Sequence, residues 1–118
     1  MSLLEELVSV MTELDIPVET GAFSDIAPDM YVVLTPLADT FALNADDCPG
    51  VDVQEVRISL YTKTNPRSTN KRIIRRLLEK DITITARMYI EYETDTKLHH
   101  YETDCAQLYP WDDNEEEE

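Results

Sequence analysis

Glycine is scarce in this chain, with only 2 residues among 118. Phosphate-cradling loops and dinucleotide-binding turns need several glycines at fixed spacing, so neither kind of nucleotide motif is expected. No apolar run approaches the roughly 20 residues that a membrane-spanning helix requires, so no membrane association is expected. The residues Met1–Glu6 lack the basic start and apolar centre of a secretory signal. The length and the 42% apolar content suit one domain with one modest core.

Cysteine is also rare, with Cys48 and Cys105 far apart in the sequence. Such a pair fits a reduced intracellular protein better than a disulfide scaffold, which favours a cytoplasmic location. Cys48 has no histidine close to it in sequence, Cys105 falls on the buried phase of a predicted strand, and no serine lies in a nucleophile elbow. We therefore expect no catalytic residues, no cofactor and no enzymatic activity.

Basic residues are missing from the first 56 positions, while eight of the ten occur between Arg57 and Lys80. The segments on both sides are acidic, and the whole chain has a net charge of −15. Residues 111–118 contain six acids, a block that repels itself and cannot bury apolar area. The sequence thus predicts a single domain over residues 1–110, followed by a disordered acidic tail over 111–118.

The charge distribution also bears on partners. A strongly acidic body repels phosphate, and no aromatic residue interleaves with the bases, so sequence-specific nucleic-acid binding is not expected. One basic segment in an acidic body instead predicts pairing between copies, basic patch against acidic patch. The candidate interface residues are Lys71, Arg72, Arg75 and Arg76. The alternative is that this segment faces water beside neighbouring acids.

Two helices are predicted from local signals. Ser2 is a plausible N-cap with Glu5 three residues later, which predicts a capping box and a helix over residues 2–14. Asn65 followed by Pro66 predicts the start of a second helix. That helix has a single apolar stripe, formed by Ile73, Ile74, Leu77 and Leu78.

Strand patterns occupy most of the remaining chain. A short extended segment is predicted at 16–19 and a strand at 29–37, followed by a loop or a weak hairpin arm over 38–50. The apolar alternation changes phase between Val53 and Val56, which predicts a β-bulge near Gln54–Glu55.

The carboxyl-terminal part has the clearest alternation. Apolar residues at every second position from Ile82 to Tyr92 predict a long strand with one buried face. Asp95–Lys97 predicts a turn, and Leu98–Gln107 the antiparallel partner, with Tyr101, Thr103 and Cys105 on one face. The expected fold class is α+β: a mostly antiparallel sheet with two helices packed on it and a long C-terminal β-hairpin.

His99 and His100 are the only histidines. Neighbouring residues on a strand point to opposite faces, so the two imidazoles do not easily reach one ion. His100, Glu102 and Asp104 share a face and form a conceivable weak, oxygen-rich site. Because no zinc or EF-hand spacing is present, the sequence predicts no metal site.

Three features carry a resemblance to a known family. They are the turn Asp95-Thr-x-x-His-His-Tyr101, the run Ala27-Pro-Asp-Met-Tyr-Val-Val33, and a basic helix between a Val/Ile strand and the hairpin. Together they resemble the tail-terminator or tail-completion proteins, which are neck proteins of long-tailed phages and prophages. The resemblance covers residues 1 to about 110 and excludes the acidic tail.

The resemblance implies an α+β virion protein that forms a six-membered ring on the end of the tail tube. Its implied partners are further copies of itself, the tail tube protein and the head–tail connector, with DNA passing through the ring lumen. It would be found in the host cytoplasm during assembly and in the virion neck afterwards. The net charge alone favours an alternative, an acidic inhibitor or DNA mimic that binds a basic host protein.

Overall fold

The computed structural model describes residues 2–20, 28–45 and 48–110, and the predicted tail over 111–118 lies outside them. The elements are α1 (Leu3–Glu13), β1 (Val18–Thr20), β2 (Met30–Ala45), β3 (Cys48–Thr62), α2 (Pro66–Glu79), β4 (Thr83–Glu93) and β5 (Leu98–Pro110). The two helices and a sheet in the order β1-β2-β3-β5-β4 form an α+β fold that ends in a β-hairpin, as predicted. β1 is parallel to β2, and the other neighbouring strands are antiparallel.

Both predicted helix starts are confirmed. The Ser2 hydroxyl accepts a hydrogen bond from the Glu5 amide at 3.2 Å, and the Glu5 carboxylate accepts one from the Ser2 amide at 3.0 Å. At α2 the Asn65 side-chain oxygen accepts from the Arg67 amide at 3.0 Å. Each contact satisfies a backbone N–H group that has no partner within its helix. Asp15, with φ 62°, reverses the chain after α1.

The two helices pack on one face of the sheet and enclose the core. Cys105 lies there as a free, buried thiol, as its strand phase predicts, and burial together with the nearby Asp104 charge raises its pKa to about 12. No helix in the described ranges is long and apolar enough to cross a membrane. The core side chains are Leu3, Leu7, Val10, Met11, Ile16, Val32, Leu34, Val56, Ile58, Leu60, Ile73, Leu77, Ile82 and Cys105.

The segment over 38–50 is a hairpin arm rather than a loop, because β2 continues to Ala45 and β3 begins at Cys48. The predicted bulge near Gln54–Glu55 is wrong. β3 pairs without interruption with β5, and the extra residue is Leu37 on β2, between Pro36 and Ala38.

The change of phase in β3 has a different cause. Gln54 shares the helix-facing side with Val56, and its side-chain oxygen accepts a hydrogen bond from the Leu3 amide at 2.8 Å. Its side-chain nitrogen donates to Asp52 at 2.8 Å. Asp52 and Gln54 therefore lie on the helix-facing side of β3, where Gln54 accepts a hydrogen bond from the first turn of α1. Val51 and Val53 lie on the opposite face.

The prediction that β4 has one buried face is also wrong. Most of its side chains are exposed, and they lie on both faces of the strand, since Met88 pairs with Glu102 and Tyr89 with Tyr101. Two extra residues, Thr85 and Ile90, also interrupt its pairing with β5, and each bulge shifts the alternation by one residue. The exposed large side chains of β4 are Met88, Tyr89, Ile90 and Tyr92.

Candidate interaction surfaces

The four predicted interface residues of α2 divide into two pairs, of which the first, Arg72 and Arg76, faces α1. Arg72 Nη2 donates to the Leu14 carbonyl at 3.2 Å, and Arg76 Nε donates to Glu13 Oε1 at 2.8 Å. Arg76 Nη1 also contacts Glu79 at 3.2 Å. Cations beside the end of α1 interact favourably with its unpaired carbonyl groups. Arg72 and Arg76, two of the four predicted interface residues, therefore connect α2 to α1 within one chain.

The second pair, Lys71 and Arg75, borders an open groove of about 440 Å³ on the outer side of α2. Ile74 and Leu78 also line it, with Glu79 at one end, and the Leu78 side chain is 57% exposed. An exposed leucine between two cations is suited to a partner surface that is apolar and acidic. We call Lys71, Ile74, Arg75 and Leu78 the α2 groove.

A second groove, of about 540 Å³, continues from Lys71 and Ile74 toward the hairpin. Its walls add two cations, Arg67 and Arg87, and two aromatic residues, Tyr89 and Tyr101. The bases and aromatic rings are separate in sequence, and the fold brings them together. Sequence reasoning missed Arg87, Tyr89 and Tyr101 because the signal is the register of the hairpin, where Tyr89 lies opposite Tyr101.

The third surface is β4 itself, the strand at one edge of the sheet. On its outer side β4 has no partner strand within the described ranges, and its Met88 side chain is 61% exposed. A long edge strand with unpaired backbone groups and apolar side chains can accept a strand from another chain.

The two histidines lie on opposite faces of the hairpin, as predicted. His99 Nδ1 lies 3.0 Å from the Tyr89 hydroxyl, and its ring also contacts Tyr92. The His100 ring stacks on Tyr61 at 4.3 Å on the face away from the helices. Tyr61 in turn stacks on Tyr31 at 4.8 Å.

The predicted grouping of His100, Glu102 and Asp104 is formed only in part, because His100 Nε2 lies 3.4 Å from Glu102 while Asp104 pairs with Arg57. Arg57 makes two hydrogen bonds to Asp104, at 2.9 and 3.1 Å, and lies 3.4 Å from Glu102. These contacts raise the pKa of Arg57, chiefly through the hydrogen bond to Asp104. Asp104 is thus committed to an ion pair. His100 also lies close to Glu91 and Glu93 of the neighbouring strand β4.

Comparisons with known proteins were made by family and by sequence. No family model matches the chain, and no curated protein matches it.

The contact between Glu13 and Arg76 predicts a pH-dependent contribution to stability. The hydrogen bond from Arg76 holds the pKa of Glu13 below its ordinary value of 4.5. A lowered carboxyl pKa stabilises the folded state fully above the unfolded pKa, and this contribution is lost as the pH falls through the folded pKa. We expect Glu13→Gln to lower the urea midpoint slightly at pH 7, because the pair is exposed. The difference between Glu13→Gln and the unaltered protein should shrink as the pH is lowered below 4.5, and a difference that stays constant with pH would contradict the assignment.

Proposed function

We propose that this protein is a non-enzymatic structural protein of a phage or prophage tail, which caps the tail tube and joins it to the head connector. The resemblance of the turn over 95–101 and of the adjacent basic helix to tail-terminator proteins supports this proposal. The observation that carries it is the presence of two unlike exposed surfaces, the α2 groove and the edge strand β4.

A ring built by head-to-tail contacts needs two different, complementary patches on every copy. The α2 groove has an apolar floor and a basic border, whereas the chain as a whole is acidic. An acidic neighbour satisfies the charges of Lys71 and Arg75 and covers Leu78. An acidic lumen in such a ring lets DNA pass without adhering, because like charges repel.

The same groove also limits the alternative of an acidic inhibitor. A protein that acts only by presenting negative charge to a basic partner has no use for an exposed basic and apolar groove. The salt dependence of complex formation distinguishes the two functions, because a complex formed mainly by charge weakens steeply as the salt concentration rises. A ring held partly by apolar contacts weakens less.

The test is negative-stain microscopy of particles from a phage or induced prophage whose copy of this gene is disrupted. We expect tails of irregular or excessive length that are not attached to filled heads. Tails of normal length lying beside finished heads would contradict capping and assign the protein to a joining step. Intact, infectious virions would overturn both roles. Re-expression of the unaltered gene should restore attached tails, which controls for effects on neighbouring genes.

A further inference from the structure

Three potential metal ligands converge at the end of the β4–β5 hairpin. Glu91, Glu93 and His100 each offer one ligand atom, and these atoms all lie within 4.8 Å of one another. The cluster is on the face of the sheet away from both helices. It is separate from the α2 groove, although Glu91 and Glu93 belong to the edge strand β4, which is the second surface of the proposed ring function.

The bulge at Ile90 creates this cluster. Tyr89 pairs with Tyr101, and Ile90 is the extra residue, so Glu91 lies directly across from His100. Glu93 lies two residues further along β4, and therefore on the same face. With the Thr85 bulge alone, Ile90 would lie across from His100 and both glutamates would turn toward the helices. Bulges of this kind redirect side chains at functional positions.

His100 is held in place and has unused bonding capacity. Its side chain is 12% exposed and stacks on Tyr61. Its Nε2 atom is buried without a hydrogen-bond partner among the described residues, and it lies 3.4 Å from a Glu102 oxygen. A buried nitrogen without a partner is costly, and a metal ion can satisfy it.

A hydrogen bond also fixes the position of one of the two carboxylates, that of Glu93. The Thr96 hydroxyl donates a hydrogen bond to Glu93 Oε1 at 2.8 Å, which is the kind of outer contact that orients a metal ligand. Two carboxylates at close range repel each other, and a cation between them removes that repulsion. Their charges reach Tyr61, whose pKa is raised first by burial and then by neighbouring groups that include Glu93, Glu102 and Glu91.

We propose that Glu91, Glu93 and His100 bind one divalent transition-metal ion of the zinc type. One imidazole with two carboxylates suits zinc, which takes nitrogen and oxygen ligands at about 2.0–2.2 Å and keeps an open position for water. Calcium and magnesium prefer oxygen ligands only. Tetrahedral ligands at that distance are about 3.4 Å apart, so the glutamate side chains close by roughly 1 Å around the ion.

The first test is calorimetric titration of the full chain with zinc chloride, after removal of metal by EDTA and dialysis. We expect saturable binding of one ion per chain. His100→Ala should weaken it by about tenfold or more, since loss of even an outer contact costs 10–100-fold in metal affinity. His99→Ala is the matched control, because the neighbouring imidazole faces the other side, and it should bind as the unaltered chain does. Absence of saturable binding, or equal loss in both variants, would overturn the proposal.

A second variant guards against misfolding of the His100 substitution. Glu91→Gln with Glu93→Gln removes both carboxylates at a hairpin edge. It should abolish the rise in melting temperature that zinc gives the unaltered chain, which we expect to be roughly 5–10 °C at a hundredfold excess over Kd. A rise that persists in this variant would show that the thiols or the terminal acids bind the metal, and would contradict the site.

Discussion

Replacing Leu77 with alanine should lower the free energy of unfolding by about 2–5 kcal/mol, the usual cost of truncating a buried leucine. Leu77 has no exposed surface and belongs to the core between α2 and the sheet. The loss combines the transfer of apolar surface with the cavity that remains. Domains of this kind are stable by about 5–15 kcal/mol, so the change removes a large share of the stability. Urea unfolding followed by circular dichroism measures it.

The neighbouring residue provides a matched control. Leu78→Ala removes the same atoms from the same helix, but this side chain is 57% exposed. Its effect on the free energy of unfolding should stay within about 0.5 kcal/mol. A large loss at Leu78 with little change at Leu77 would mean that α2 packs through its other side.

The local structure of both helices could be predicted from the sequence, because its determinants are local. The capping box at Ser2 and the Asn65-Pro66 start each depend on residues within one turn of the helix. The Asp95–Lys97 turn is similar, since Lys97 adopts a positive φ of 64° that closes the hairpin. The α+β class follows from the order of these elements.

The sheet was harder to predict because its irregularities depend on partner strands. The pattern from Ile82 to Tyr92 alternates perfectly, yet bulges at Thr85 and Ile90 shift the faces of β4. A period of two in sequence contains no information on where a partner strand accommodates an extra residue. The same applies to Leu37, which gives β2 the extra residue that the sequence analysis assigned to β3.

The candidate interface was predicted only as a set of cations on one helix. Periodicity places Lys71, Arg72, Arg75 and Arg76 away from the apolar stripe, but it does not identify their neighbours. The position of α1 decides that Arg76 contacts Glu13, while Arg75 borders the groove. The cluster of Glu91, Glu93 and His100 was missed because alternation predicts the face of each residue but not the register that sets Glu91 directly across from His100.

Because Lys71 and Arg75 border the groove while Arg72 and Arg76 contact α1, the two pairs allow a matched test of assembly. Lys71→Glu with Arg75→Glu reverses the charge at the border of the α2 groove and leaves in place the contacts that Arg72 and Arg76 make with α1. We expect an unchanged circular dichroism spectrum and loss of assembly by about a hundredfold or more, because like charges facing each other across an interface cost several kcal/mol. The readout is complementation of the gene-disrupted phage, with attached tails counted by negative-stain microscopy.

Arg72→Glu with Arg76→Glu is the control, since it makes the same change of charge on the same helix. It removes the contacts to Leu14 and Glu13, so we expect a lower melting temperature while the groove is preserved. Below that temperature it should still complement. If this control abolishes attached tails and the groove variant does not, the interface lies on the side of α2 that faces α1, and the α2 groove has another partner. Since both variants carry the same net charge, a difference between them cannot arise from overall electrostatics.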